Sequence, residues 1–442
     1  MRLTHPLPFA RTLVSLPANR VIIVGGGIAG LVAATELERR GRPVLLIERE
    51  NDLGGRVRTR RVDGFRIDRG FQVLFTAYPV LTSYLDLGAL DLRSFEPSAR
   101  IALPSGTSVI GDALRQPSLL LETVLSAHIP VVDVWRLLRL RRLATRLTEG
   151  ACFSAAYADR STRDFLVEWG FTRTTIDRFF APFYGGILLD RSLETSASVL
   201  LYTFGMLARG DTAVPARGMG AIAEHLRSRL RLAEVRTSAR VTSLLVEAGR
   251  ASGVVLADGS VQRGADVVLC TDAPAAAALA MTAGISVPNL PTGALGCTTV
   301  YLASNTSLLP GRALTLNAAE HPVISHAITI SDVAPEYSPP GQHLIAMTAI
   351  GEAAVASDQV LERAAISELA MMRRASVHAA VRVVAIERVP YSQFVQPPGY
   401  PTHRPSASTT LAGLWYGGEG LHSSSLEGAA RAGQYAAAAI SS

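Results

Sequence analysis

Three observations predict an α/β fold of the Rossmann type. A glycine turn, Gly25-Gly26-Gly27-Ile28-Ala29-Gly30, links a β-branched run, Val21-Ile22-Ile23-Val24, to a helical stretch, and a second apolar run, Val44-Leu45-Leu46-Ile47, follows. Strand and helix patterns return at 212–275 and at 405–442. Between them, 81–211 reads mostly as helices, and 276–404 mixes β-rich runs with helix. The expected architecture is a dinucleotide-binding domain made of 20–80, 212–275 and 405–442. The two intervals, 81–211 and 276–404, are expected to pack together as a discontinuous α+β substrate domain, a mixed sheet plus helices. Residues 1–19 are expected to form a flexible tail.

The first helix is expected over 31–40, stopped by Gly41. Turn signals fall near Pro104, Pro117, Pro130 and Pro182. Residues 221–232 read as helix and 235–246 as extended chain; Ala257-Asp258-Gly259-Ser260 reads as a hairpin turn, and 267–270 as a buried strand. Strands are expected at 298–302, 323–330 and 344–350, and a helix near 359–374. The tail, 411–442, reads as strand, glycine turn and long Ala-rich helix.

Composition narrows the function classes. A chain of 442 residues with 48% hydrophobic and 18% charged residues supports a sizeable core and two domains. No apolar run reaches roughly 18 residues, so no transmembrane helix is expected, and the N-terminus lacks the apolar stretch of a secretory signal. Cys152, Cys270 and Cys297 show no CxxC spacing and read as packing residues in a reducing compartment. The nine histidines form no HExxH pair, so no metal site is expected. The net charge of +6 is carried by 43 arginines and no lysine. Basic residues interleaved with aromatics on one surface are not evident, so no nucleic-acid partner is expected.

The glycine turn has a chemical logic. Gly25 permits the tight turn, Gly27 lets a pyrophosphate approach the backbone, and Gly30 lets helix pack on strand. Ile28 and Ala29 open the helix, whose free N–H groups favour an anion. Glu48 ends the second strand, where a carboxylate can bind ribose hydroxyls and repel a 2′-phosphate; Arg49 beside it weakens that exclusion.

A second element follows: Leu53-Gly54-Gly55-Arg56-Val57-Arg58-Thr59. It resembles the GGRxxT segment of the flavin amine oxidase and phytoene desaturase superfamily. Four further segments agree: 65–70 with Asp68 and Gly70, Pro215-Ala216-Arg217-Gly218-Met219-Gly220, Arg240-Val241, and Gly417-Gly418-Glu419 with Ser425-Leu426-Glu427-Gly428-Ala429. The resemblance implies non-covalent FAD. It implies that Gly54 and Gly55 cross the pyrophosphate with Arg56 supplying charge, that Gly70 lies beside the flavin, and that the Val241 backbone meets adenine. It also implies that Gly418 and Glu419 face the ribityl or pyrophosphate region, and that the Leu426 N–H meets the flavin's pyrimidine edge. Arg217, where the family usually has glycine, leaves the local turn open.

The same resemblance implies removal of hydride from a C–H bond, with the flavin carrying the hard step. Many amine oxidases of the superfamily hold a water with a lysine, a device this chain lacks. A carotenoid or isoprenoid desaturase-like reaction on a small, largely apolar substrate is therefore the leading expectation. Amine or protoporphyrinogen oxidation, and a non-redox FAD-bound isomerase, are its rivals. An apolar tunnel is expected, with Phe71, Phe183, Tyr184, Tyr391 and Trp415 as lining and Arg69 as a charge near flavin or substrate. His326 reads as a satisfied structural histidine. Residues 134–147 read as a basic amphipathic helix, with Arg139, Arg142 and Arg146 on one face, suited to anionic lipid. The expected location is cytoplasmic, with peripheral membrane contact through that helix.

Overall fold

The computed structural model describes residues 19–112, 115, 129–377 and 380–441. The expected tail lies outside them apart from Asn19, as does the turn expected at Pro117.

β1 (Val21–Val24) and β2 (Val44–Ile47) are buried at every position. They lie in a parallel five-stranded sheet ordered Glu234–Arg236, β2, β1, Asp266–Leu269 and Leu414–Tyr416. A strand covered on both faces has no solvent side, which is why these runs show no polar alternation. Each buried Val, Leu or Ile contributes about 1.5–3 kcal/mol. α1 (Ile28–Arg39) follows the glycine turn, and Gly41 takes φ +70 just past its end. The C-terminal helix, Leu426–Ser441, lies on α1 so closely that a Cβ on Gly433 would stand 2.3 Å from the Ala29 carbonyl oxygen.

The segment expected to be extended over 235–246 is two strands, Glu234–Arg236 and Val241–Glu247. Between them Ser238 takes φ 53 and its N–H donates to the Glu50 carbonyl at 2.6 Å, turning the chain out of the parallel sheet. Val241–Glu247 then pairs with Arg250–Leu256 and Val261–Arg263 in an antiparallel meander. The second of its turns carries Gly259 at φ +82, the hairpin read from the sequence.

A seven-stranded sheet runs in the order Arg382–Phe394, Ala294–Ser304, His343–Ile350, Ile324–Thr329, Leu314–Asn317, Ser98–Leu103 and Gly106–Gly111. Its neighbours are antiparallel except Leu314–Asn317 with Ser98–Leu103. The mostly helical reading of 81–211 therefore needs correction, because its first part supplies a hairpin to this sheet. The strands are six residues each, too short for periodicity to separate from helix, and only the Pro104-Ser105 turn marked them. Pro182 marks no turn either. It sits inside a continuous helical run, just after the π-helical turn Ile176–Phe180 and at the start of Ala181–Leu188. The question left by Arg217 also closes: the left-handed residue is Gly218, at φ +95, while Arg217 is exposed and pairs with Glu224. Among the described residues no helix is long and apolar enough to cross a membrane.

Asp68 ties the hairpin Thr59–Val62 and Phe65–Asp68 to the seven-stranded sheet and to the start of the helix Gly220–Arg229. Its carboxylate accepts hydrogen bonds from the Met219 N–H at 3.0 Å, from the Thr59 hydroxyl and from the Tyr337 hydroxyl at 2.7 Å, and its carbonyl accepts one from the Tyr301 hydroxyl. Burial pushes its pKa up to about 6, although all three donors pull it down. The acid is thus favoured in the folded state: its contribution to stability is complete below about pH 4 and is lost as pH rises through 6. A gap of about two pKa units is worth about 3 kcal/mol. Asp68→Asn keeps an acceptor for Met219 and Thr59 and loses the charge. Urea unfolding of the variant is expected to lose about 3 kcal/mol less stability between pH 4 and pH 7 than the parent; equal losses contradict this account.

Candidate active site

A cavity of about 1140 Å³ opens beyond the carboxyl ends of β1 and β2, where parallel α/β sheets place their ligands. Its wall includes Gly25, Gly27, Ile28, Ala29, Glu48, Arg49, Gly54, Gly55, Arg56, Arg69, Gly70, Val241, Tyr391, Glu419 and Leu426. The glycines divide into two kinds. A Cβ on Gly25, at φ +108, would lie 2.6 Å from the Cys270 carbonyl oxygen, and one on Gly30 would lie 2.0 Å from the Gly25 carbonyl oxygen. Those positions are closed by the protein itself. A Cβ on Gly27 would meet no atom within 4 Å. Nothing in the chain needs glycine there, whereas a ligand touching the backbone does.

α1 begins at this open point with no side-chain cap and no acid in its first turn. Its free N–H groups and partial positive charge suit a phosphate. The second glycine segment lies alongside: the Gly54 N–H donates to the Gly26 carbonyl at 2.8 Å, and a Cβ on Gly55 would stand 3.5 Å from the Gly27 Cα. This open backbone cradle at an uncapped helix end fits a dinucleotide pyrophosphate.

Glu48 performs a task that sequence reasoning missed. Its carboxylate accepts from the Gly26 N–H at 2.7 Å and from the Glu50 N–H at 2.9 Å, so it braces the glycine turn from within. Each oxygen can accept a further hydrogen bond, and Glu48 borders the cavity. Arg49 is exposed at the rim, its Nε 3.3 Å from Glu50 Oε1.

Arg56 and Glu419, which come from opposite ends of the chain, form an ion pair at 2.7 Å, and Arg56 also donates to the Ser392 carbonyl. Burial pushes the Glu419 carboxyl up, and Arg56 only partly draws it back. The Arg56 guanidinium stands 5.8 Å from the centre of the Tyr391 ring. Gln72 donates to the Arg56 and Arg69 carbonyls at 2.8 and 2.9 Å and holds the segment in place. Its partners are distant or non-periodic in sequence, and no local signal marked it.

Other expected residues stand elsewhere. Gly30 and Gly418 are packing glycines outside the cavity wall; a Cβ on Gly418 would meet the Thr271 carbonyl oxygen at 2.5 Å. Leu426 is the first residue of the C-terminal helix and borders the cavity. The tunnel roles expected of Tyr184 and Trp415 need correction. Tyr184 is fully buried among Phe180, Phe183 and Phe204, outside the cavity wall. Trp415 lies on the edge strand of the parallel sheet, its indole N–H bonded to Asp266. His326 is buried, but neither ring nitrogen has a partner among the described residues, so it is not a satisfied structural histidine.

The geometry defines a dinucleotide-binding oxidoreductase fold with a large adjoining cavity. The family model for flavin-containing amine oxidoreductases matches residues 28–441, and the chain belongs to that family. It is a flavin-dependent oxidoreductase whose cofactor is FAD. A phytoene dehydrogenase of Streptomyces griseus is 36% identical over 98 residues, 21% of this chain and 19% of that protein. Protoporphyrinogen oxidase 2 of Arabidopsis thaliana is 28% identical over 175 residues, 39% of this chain and 33% of that protein. The chain thus spans about a fifth to a third of the length of these curated relatives. The solved structure of an oxidoreductase from Methanosarcina mazei superposes with a TM-score of 0.70 over 96% of this chain and 99% of that one, at 19% identity, a likeness of fold.

The two kinds of glycine separate in experiment. Gly27→Val is expected to fold and to melt with the FAD-stripped parent yet purify colourless, because only the cofactor meets the new side chain. Gly30→Val is expected to lose soluble expression, since its Cβ strikes backbone. A yellow, FAD-saturated Gly27→Val protein would contradict the assignment of the pyrophosphate to this turn.

Proposed function

We propose that the enzyme removes hydride from a C–H bond of a largely apolar, isoprenoid-like substrate in a desaturase-type reaction. The observation that carries this reading is the aromatic wall of the cavity. Phe71, Phe95, Phe179, Phe183 and Phe204 border it together with Leu137, and the Phe179 and Phe183 rings stack at 5.7 Å. Such a surface gains by excluding water from a hydrocarbon. The absence of lysine from the chain supports it further.

In this reading 20–80, 212–275 and 405–442 form the cofactor domain, and 81–211 with 276–404 the substrate domain. FAD, when bound, supplies the hydride acceptor. Gly25, Gly27, Ile28, Ala29, Gly54 and Gly55 present backbone to the pyrophosphate, and Glu48 and Val241 border the adenosine. Leu426, at a helix N-terminus bordering the cavity, would offer an N–H and a partial positive charge to the flavin ring. Non-covalent binding is the reading that the family resemblance implies, and burial, which pushes the cavity thiol of Cys270 up to about 12 and raises that of Cys297, disfavours a link through either. Anaerobic mixing with carotenes, amines and porphyrinogens tests the reaction. Bleaching of the flavin band by a carotene alone is the expected result; bleaching by an amine or a porphyrinogen alone rejects the desaturase reading in favour of oxidation.

The route of an apolar substrate is part of the proposal. The helix Val131–Arg146 lines the cavity with Val134, Leu137 and Leu138, while Val131, Val132 and Trp135 are 55%, 49% and 67% exposed. Arg139, Arg142 and Arg146 continue the same outer face. Apolar side chains beside arginines suit the surface of an anionic bilayer, from which substrate would pass across this helix. The protein is expected to sediment with phosphatidylglycerol vesicles, and Trp135→Asp to lower the bound fraction several-fold. A parent protein that leaves those vesicles unbound sinks the membrane route.

A further inference from the structure

We propose that His326 hydrogen-bonds an oxygen, a hydroxyl or carbonyl, carried by the otherwise apolar substrate. This rests on the apolar-substrate reading above and narrows it. His326 lies on the strand Ile324–Thr329 and borders the cavity, and it is only 3% exposed. Neither Nδ1 nor Nε2 has a hydrogen-bond partner among the described residues. An imidazole buried in this state forfeits the hydrogen bonds it makes in water, so such a group calls for a partner that the chain does not supply.

The side chains and backbone against the ring supply no such partner. A Cβ on Gly186 would stand 2.9 Å from His326 Nδ1, so helix backbone rather than a polar side chain lies against that nitrogen, and Gly186 itself borders the cavity. On its other side the imidazole meets the Phe71 ring, 5.2 Å between centroids, which fixes its plane without offering a polar contact. Burial lowers the pKa of His326 to about 4. The ring is therefore neutral near pH 7, with one nitrogen as donor and the other as acceptor. It can donate to a carbonyl and can either donate to or accept from a hydroxyl. A plain hydrocarbon would leave both nitrogens unpaired among aromatic side chains. An oxygenated end would satisfy one of them and, by fixing the chain's position, decide which C–H bond reaches the flavin.

Phytol and phytene, an isoprenoid alcohol and the alkene of the same skeleton, test the inference. Each is titrated into the flavin-loaded enzyme while the visible flavin spectrum is followed. The parent enzyme is expected to bind the alcohol about tenfold more tightly, the size of one net hydrogen bond. His326→Phe should abolish that preference while leaving phytene binding unchanged, and His326→Gln should restore part of it. Gly186→Ala, whose methyl would stand 2.9 Å from Nδ1 and so push the imidazole aside, should also reduce the preference. Equal binding of the two probes by the parent, or a preference that survives His326→Phe, overturns the role of His326 and leaves the apolar reading intact. Failure of both probes to bind overturns the apolar reading and this inference with it.

Discussion

The site depends on the contact between two glycine segments that are 27 residues apart in number, Gly27 and Gly54, held in a parallel bridge beside the end of β1. The Gly54 N–H to Gly26 carbonyl bond brings a second stretch of bare backbone against the first turn of α1. Glu48 secures the arrangement from below by accepting from the N–H of Gly26. A dinucleotide pyrophosphate carries charge that one helix end meets only in part. Two backbone segments with no side chains between them provide close approach on both sides, and the rest of the molecule keeps them together.

That task falls to buried polar links across long sequence distances. Arg56 reaches Glu419 and the Ser392 carbonyl, binding the second glycine segment to the C-terminal segment and to the large sheet. Asp68 ties the same region to Tyr337 and Tyr301. Buried pairs of this kind add little net stability over apolar packing, since desolvation offsets much of their attraction. Their contribution is positional: loss of one partner leaves the other buried and unpaired. Charges expected to serve the cofactor directly thus also hold one another.

Beyond the glycine segments the cavity changes character. Aromatic side chains from the helical region and one face of the large sheet enclose it, and the helix Val131–Arg146 separates it from solvent. There the imidazole of His326 is buried and, among the described residues, unpaired beside the Phe71 ring, and the hydroxyls of Tyr202 and Tyr391 elsewhere on the wall are unpaired too. The fold thus divides its labour: charge and backbone handle the nucleotide, and a largely aromatic surface with a few buried polar groups handles the substrate.

The α/β class, the first βαβ unit and the family were legible in the chain itself. Buried strands, glycine turns and helix ends are local patterns, and a motif such as Gly54-Gly55-Arg56 acts through its own backbone. The hairpin at 98–111 was not legible, because six-residue strands carry too few residues for a period to emerge. Nor was the placement of single aromatic side chains: Tyr184 and Phe183 are neighbours in sequence, yet only Phe183 borders the cavity. A helix turns by about 100° per residue, and which direction faces a cavity depends on what packs around it. The partners of Arg56 and the isolation of His326 were likewise decided in three dimensions, since both depend on contacts between residues hundreds of positions apart or on the absence of any.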